Sequence, residues 1–70
     1  MRVKFYSSHC RNCMTLQALM NSKGIAYEII DDEEVYLPIA DAHQILSMPF
    51  AEVNGAIFNT KQLKDWIDGQ

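Results

Sequence analysis

The stretch YSSHCRNCMTLQ, Tyr6 to Gln17, holds both cysteines of the chain, with His9 in front of them and a run with helical spacing behind. Two residues three apart on a helix share a face, with Cβ atoms about 5 to 6 Å apart, so a small adjustment of the first turn allows an S–S bond. Such a pair opens and closes without refolding the domain. A cysteine at a helix N-terminus also meets unpaired backbone N–H groups and the positive end of the helix dipole, and both favour the thiolate. That residue is Cys10, the expected nucleophile. Cys13, one turn in and facing the core, is expected to stay a thiol until it resolves a mixed disulfide. A crosslink kept only for stability is a poor explanation, because closing so short a loop removes little entropy from the unfolded chain. Secreted disulfide domains also carry more cysteines, at longer spacings.

The neighbours of the pair each admit two readings. Arg11 folds back over the sulfur and adds to the thiolate bias, or is simply solvated. Asn12 donates to the sulfur or is an ordinary first-turn polar residue. His9 tunes or shuttles a proton at Cys10, or is exposed in the turn. Cys10, Cys13, His9 and His43 also supply enough ligands for zinc, but adjacent His9 and Cys10 are awkward in a tetrahedral site and no second ligand pair follows. No metal is expected.

Working outward, Val3 to Tyr6 alternates apolar and polar residues and reads as a first strand. From Asn12 to Lys23, Cys13, Leu16, Leu19 and Met20 recur at helical spacing. Gly24 suits the left-handed residue that ends this helix, with Lys23 complementing its dipole. Ile25 to Ile30 reads as a second strand, apolar enough to lie centrally in a sheet. Pro38 interrupts the next segment, so a short or broken helix is expected, regular from Leu37 to His43. Phe50 to Val53 is a third strand entered at Pro49, Asn54-Gly55 is a two-residue hairpin turn, and Ala56 to Phe58 returns antiparallel. Thr60 is expected to cap a last helix that buries Leu63, Trp66 and Ile67 and turns Lys61, Lys64 and Asp65 to water.

The order is βαβ, then α, then ββα, and no linker or repeat divides residues 1–70. At 70 residues the chain is one small domain, and its 49% hydrophobic content is that of a folded chain rather than a disordered one. A net charge of −3 with scattered basic residues makes a poor nucleic-acid footprint. No window is long and apolar enough for a membrane span, and MRVKFYSS lacks the pattern of a cleaved signal, so a monomeric cytoplasmic protein is expected.

This order, with C-x-x-C opening the first helix and a proline opening the third strand, resembles the thioredoxin fold. The closer resemblance is to glutaredoxins and to the small glutaredoxin-like electron donors of ribonucleotide reductase. It rests on FYSSHCRNC, HQILSMPFAEVNG and LKDWI, which together span almost the whole chain. The resemblance implies an α/β fold, a central four-stranded mixed sheet flanked by helices, and dithiol-disulfide exchange at Cys10 and Cys13. It further implies a cis Met48-Pro49 bond facing the cysteines, with the Met48 backbone pairing with an extended substrate. Tyr6 would flank the thiols, with Phe50 beside it as core; Trp66, Met14 and Met20 read as packing. A disulfide-bearing protein, ribonucleotide reductase among the candidates, would be the substrate.

The reductant is less plainly implied. Glutaredoxins commonly hold glutathione with a basic residue before the active-site turn and a glycine-containing segment at the last helix. Ser7 and Ser8 stand at the first position, and Phe58-Asn59-Thr60 at the second. Thr60 and nearby N–H groups remain a candidate carboxylate site. Either glutathione or a flavoprotein disulfide reductase is therefore the expected electron source, with no bound cofactor. The competing classes are a zinc or iron–sulfur binding module and a non-catalytic partner-binding domain.

Overall fold

Alternation along β1, Val3–Tyr6, divides the core in two. Val3 and Phe5 face one side of the sheet and Tyr6 the other, the period of two that a strand imposes. The computed structural model describes residues 2–70. It continues through α1, Arg11–Ser22, β2, Glu28–Ile30, α2, Glu33–Ala42, β3, Phe50–Val53, β4, Ala56–Phe58, and α3, Thr60–Asp68.

The four strands lie in the order β2-β1-β3-β4. β1 runs parallel to β2 and antiparallel to β3, and β3 pairs antiparallel with β4, so the sheet is mixed. On one face, Leu16 and Met20 of α1 and Leu63 and Ile67 of α3 pack on Val3, Phe5, Ala51 and Val53. On the other, Tyr36 and Ala40 of α2 pack on Tyr6 and Phe50. Trp66 and Tyr27 close the first cluster from its rim. This is the minimal thioredoxin architecture, with helices on both faces of four strands.

The turns follow their residues. Asn54 and Gly55 have φ of 51° and 88°, the left-handed pair that a two-residue hairpin requires. Gly24, at φ 69°, ends α1, and the Ile25 amide turns back to the Met20 carbonyl at 3.0 Å. Lys23 serves its own helix through its backbone N–H, which reaches the Leu19 carbonyl at 3.1 Å, but its ammonium donates to the carbonyls of Asp68 and Gln70, each at 3.2 Å, and so ties α1 to the end of α3.

Two elements differ from expectation. The second strand is only Glu28–Ile30 and lies at an edge of the sheet rather than its centre. The Ile25 backbone is committed to the end of α1, and Ile25 and Tyr27 pack on the core from the connecting segment. α2 is not broken at Pro38; it runs unbroken from Glu33 to Ala42. Asp32 caps it by accepting the Glu34 amide at 3.0 Å, Glu33 and Glu34 suit the positive end of the dipole, and Tyr36 and Ala40 bury on either side of the proline. The missing N–H deprives the carbonyl of Glu34, an exposed residue, where water is at hand. Among the described residues, no helix is long and apolar enough to cross a membrane.

Candidate active site

β1 delivers the chain to the site through a buried serine. The Ser7 amide donates to the Ile30 carbonyl at 3.0 Å, extending the β1–β2 pairing by one residue, and Ser7 is wholly buried. Its hydroxyl accepts the His9 amide at 3.0 Å and closes a tight turn in which His9 has φ of 60°. The His9 ring meets the Asp31 carboxylate at 2.9 Å, joining the turn to the end of β2. That hydrogen bond holds the Asp31 carboxyl below its ordinary value.

The turn leaves Cys10 as the N-cap of α1, where its sulfur takes the place usually held by a serine or aspartate oxygen. It accepts the Cys13 amide at 3.2 Å. The Cys13 sulfur lies 2.7 Å from that of Cys10, with both cysteines unbonded; Cys10 is half-buried and Cys13 wholly buried. Burial pushes the Cys13 thiol up, but hydrogen bonds from Cys10, the Ser8 backbone and the Ser7 side chain outweigh it and leave the thiol below its ordinary value. The Ser8 hydroxyl adds a looser contact at 3.8 Å.

A second segment completes the site. The Met48-Pro49 bond is cis, and the Met48 carbonyl lies 3.8 Å from the Cys10 sulfur. The Thr60 hydroxyl donates to the Pro49 carbonyl at 2.6 Å, anchoring this segment to the start of α3.

No family model and no curated protein matches the chain. Among solved structures, the glutaredoxin-like protein NrdH-redoxin from Escherichia coli aligns with 99% of this chain and 93% of its own, with a TM-score of 0.81 at 19% identity. The fold is that of a glutaredoxin-like redoxin.

Within this redoxin fold, Cys10, Cys13, Met48 and Pro49 come together. Arg11 is the exposed first residue of α1, and Asn12 beside it is exposed too. Tyr6 is not at the surface of the site. It is 3% exposed and stacks on Phe50 with centroids 4.6 Å apart, so the pair is floor rather than wall. Thr60 is not the cap of α3: Asn59 is, in a reciprocal arrangement with Gln62, and Thr60 is the first helical residue. Met14, expected to pack, is 52% exposed, whereas Met20 is buried. Among the described residues, no three His, Cys, Asp or Glu side chains are grouped to hold a metal ion.

Sequence reasoning treated Ser7 and Ser8 only as an absent basic residue, and missed Asp31. Ser7 is structural to the turn and faces Cys13, and Asp31 holds His9 across 22 positions of chain. Only the pairing of β1 with β2, which brings Ile30 beside Tyr6, would have signalled the second contact.

Proposed function

We propose that the protein is a dithiol-disulfide oxidoreductase of glutaredoxin type that reduces disulfides in other proteins. The observation that carries this reading is the half-buried Cys10 sulfur at a helix N-cap with the Cys13 sulfur 2.7 Å behind it. Cys10 as thiolate attacks one sulfur of a partner disulfide; a Cys10–partner bond forms, the partner's S–S bond breaks, and the leaving sulfur takes up a proton. Cys13 then loses its proton and attacks Cys10, closing the Cys10–Cys13 disulfide and expelling the second partner thiol. Two electrons pass to the partner. The site can change redox state without moving α1.

Met48 and Pro49 offer an extended substrate a backbone edge beside Cys10, in the manner of strand addition. Among protein substrates, ribonucleotide reductase is the one to which the family resemblance points, in the reducing cytoplasm where an exposed dithiol persists.

A flavoprotein disulfide reductase is the better candidate than glutathione for returning the electrons. NrdH-redoxin, which shares the fold, has a thioredoxin-like activity profile. Here the buried Ser7 hydroxyl and the Thr60 hydroxyl are engaged inside the protein, leaving fewer groups for the glutathione carboxylates. The test is to supply oxidised protein with glutathione and its reductase, or with thioredoxin reductase, and follow NADPH consumption during reduction of a disulfide substrate. Faster turnover with thioredoxin reductase is expected. Turnover with neither system, and none with dithiothreitol, would overturn the oxidoreductase reading.

A further inference from the structure

Leu46 is 99% exposed. A single exposed leucine is ordinary. Its surroundings set this one apart. It stands three residues before Pro49, on the rim of an open groove of about 700 Å³ whose apolar lining also includes Ile45 and Ile57. The groove ends next to the site without including the thiols: it is lined by Ser47 and Thr60, whose hydroxyls are 3.5 Å apart, Thr60 holds the Pro49 carbonyl, and the carbonyl of Met48, the residue after Ser47, lies 3.8 Å from the Cys10 sulfur.

The charge of the groove opposes that of the chain. The sequence has nine acidic residues against six lysines and arginines, yet no aspartate or glutamate lines the groove, whereas Lys61 and Lys64 do. Lys64 is engaged by Asp68 at 3.0 Å. Lys61, on the exposed first turn of α3, has no ion-pair partner among the described residues.

Resting on the oxidoreductase reading, we propose that this groove selects its protein substrate: an extended segment carrying the reactive cysteine, with an apolar side chain against Leu46 and Ile57 and an acidic one at Lys61. A segment joined to Cys10 and passing Met48 and Ser47 advances about 3.3 Å per residue, so both recognition residues lie within about four positions of the partner's cysteine. The backbone edge at Met48 holds any extended chain; Leu46 and Lys61 discriminate between chains.

The test uses three disulfide-linked homodimers of short cysteine peptides: one with Leu and Asp near the cysteine, one with Lys replacing Asp, one with Ser replacing Leu. Second-order rates of a single turnover by the pre-reduced protein are compared, with 2-hydroxyethyl disulfide as an uncharged control. The Leu/Asp peptide is expected to react about fivefold faster than its Lys counterpart, the scale of one exposed ion pair. That ratio should shrink at about 1 M salt and reverse in Lys61→Glu. The preference for Leu over Ser should disappear in Leu46→Ser. Equal rates on all three peptides with normal reduction of the control, or a charge preference untouched by Lys61→Glu, would overturn the groove while leaving the redox reading intact. Failure on the control as well would remove both. Self-association lost in Leu46→Ser would assign the face to a second copy and overturn the substrate role.

Discussion

The Cys13 amide donates to the Cys10 sulfur at 3.2 Å while the Cys10 thiol donates to the Cys13 sulfur at 2.7 Å, so the two residues are joined twice, once through the backbone that starts α1 and once through their side chains. A charge placed on the pair is held from both directions. It can react only where solvent reaches, and that is Cys10, because Cys13 has no exposed surface. Alkylation of the reduced protein at neutral pH, mapped by mass spectrometry, should therefore modify Cys10 about tenfold or more faster than Cys13. Cys13→Ser should stop at a mixed disulfide, and Cys10→Ser should abolish turnover. Preferential labelling of Cys13 would reverse the assignment.

The same geometry sets a pH dependence of stability. Burial raises the Cys13 thiol, and the hydrogen bonds of the site more than offset it, leaving the folded value below the ordinary 9.0. The unfolded chain then binds more protons than the folded one between those two values, and stability rises with pH across that window. The contribution is complete above the ordinary thiol value and is lost as pH falls through the folded one. Urea unfolding of the reduced protein at a series of pH values rising to the ordinary thiol value should show this rise. The oxidised protein, which has no thiols to titrate, should show none of it.

Asp31 behaves in the same sense at lower pH. Its carboxyl is held below 3.8 by the hydrogen bond from His9, so its contribution is present at neutral pH and lost as pH falls through the folded value. Asp31→Asn should melt slightly lower than the parent at pH 7, and the difference should vanish near about pH 2. Both groups are more than half exposed, so the effect should also shrink in salt. A gap that persists in acid would mean that Asp31 acts through something other than its charge.

What could be read from the sequence was what local pattern decides. β1, α1, the Asn54-Gly55 hairpin and the apolar stripe of α3 are written in periodicity and turn chemistry, and the Cys10–Cys13 spacing and the proline segment mark the site. The edge position of β2 depends on which strands β1 pairs with, and nothing within Ile25 to Ile30 encodes that. α2 passes through Pro38 because its cap and its two buried residues prevail over the proline, a tertiary outcome. Thr60 was one residue from the true cap, an offset common at helix ends. Ser7 illustrates a different limit: a buried serine that closes a turn has the same letter as an exposed one.

Ser8, exposed and next to that buried serine, bears on the reductant. Where the resembling family carries a basic residue, this chain offers a hydroxyl near Cys13. Ser8→Lys should raise glutathione-supported turnover about tenfold, the size of one hydrogen bond to a charged group. Efficient glutathione turnover by the unaltered protein, with no response to Ser8→Lys, would show that the carboxylates are held elsewhere.

Thr60 offers the most direct test of how the second segment is held. Its hydroxyl donates to the Pro49 carbonyl at 2.6 Å, and through that bond the start of α3 fixes the chain whose Met48 carbonyl faces Cys10. Thr60→Val keeps the shape and removes the donor, leaving the carbonyl to find another partner, at a cost of about 1 kcal/mol in stability. The thiols themselves are untouched, since Cys10 and Cys13 are positioned by α1 and by the Ser7 turn. The loss should therefore fall on substrate alignment: kcat/KM for a protein disulfide should drop about fivefold or more, as misplacement of a positioned reactant predicts. The rate of Cys10 alkylation should hold. Thr60→Ser retains the hydroxyl and should restore most of the loss. If Thr60→Val lowered stability alone and left protein-disulfide reduction intact, the Pro49 tether would be a feature of the fold and not of the site.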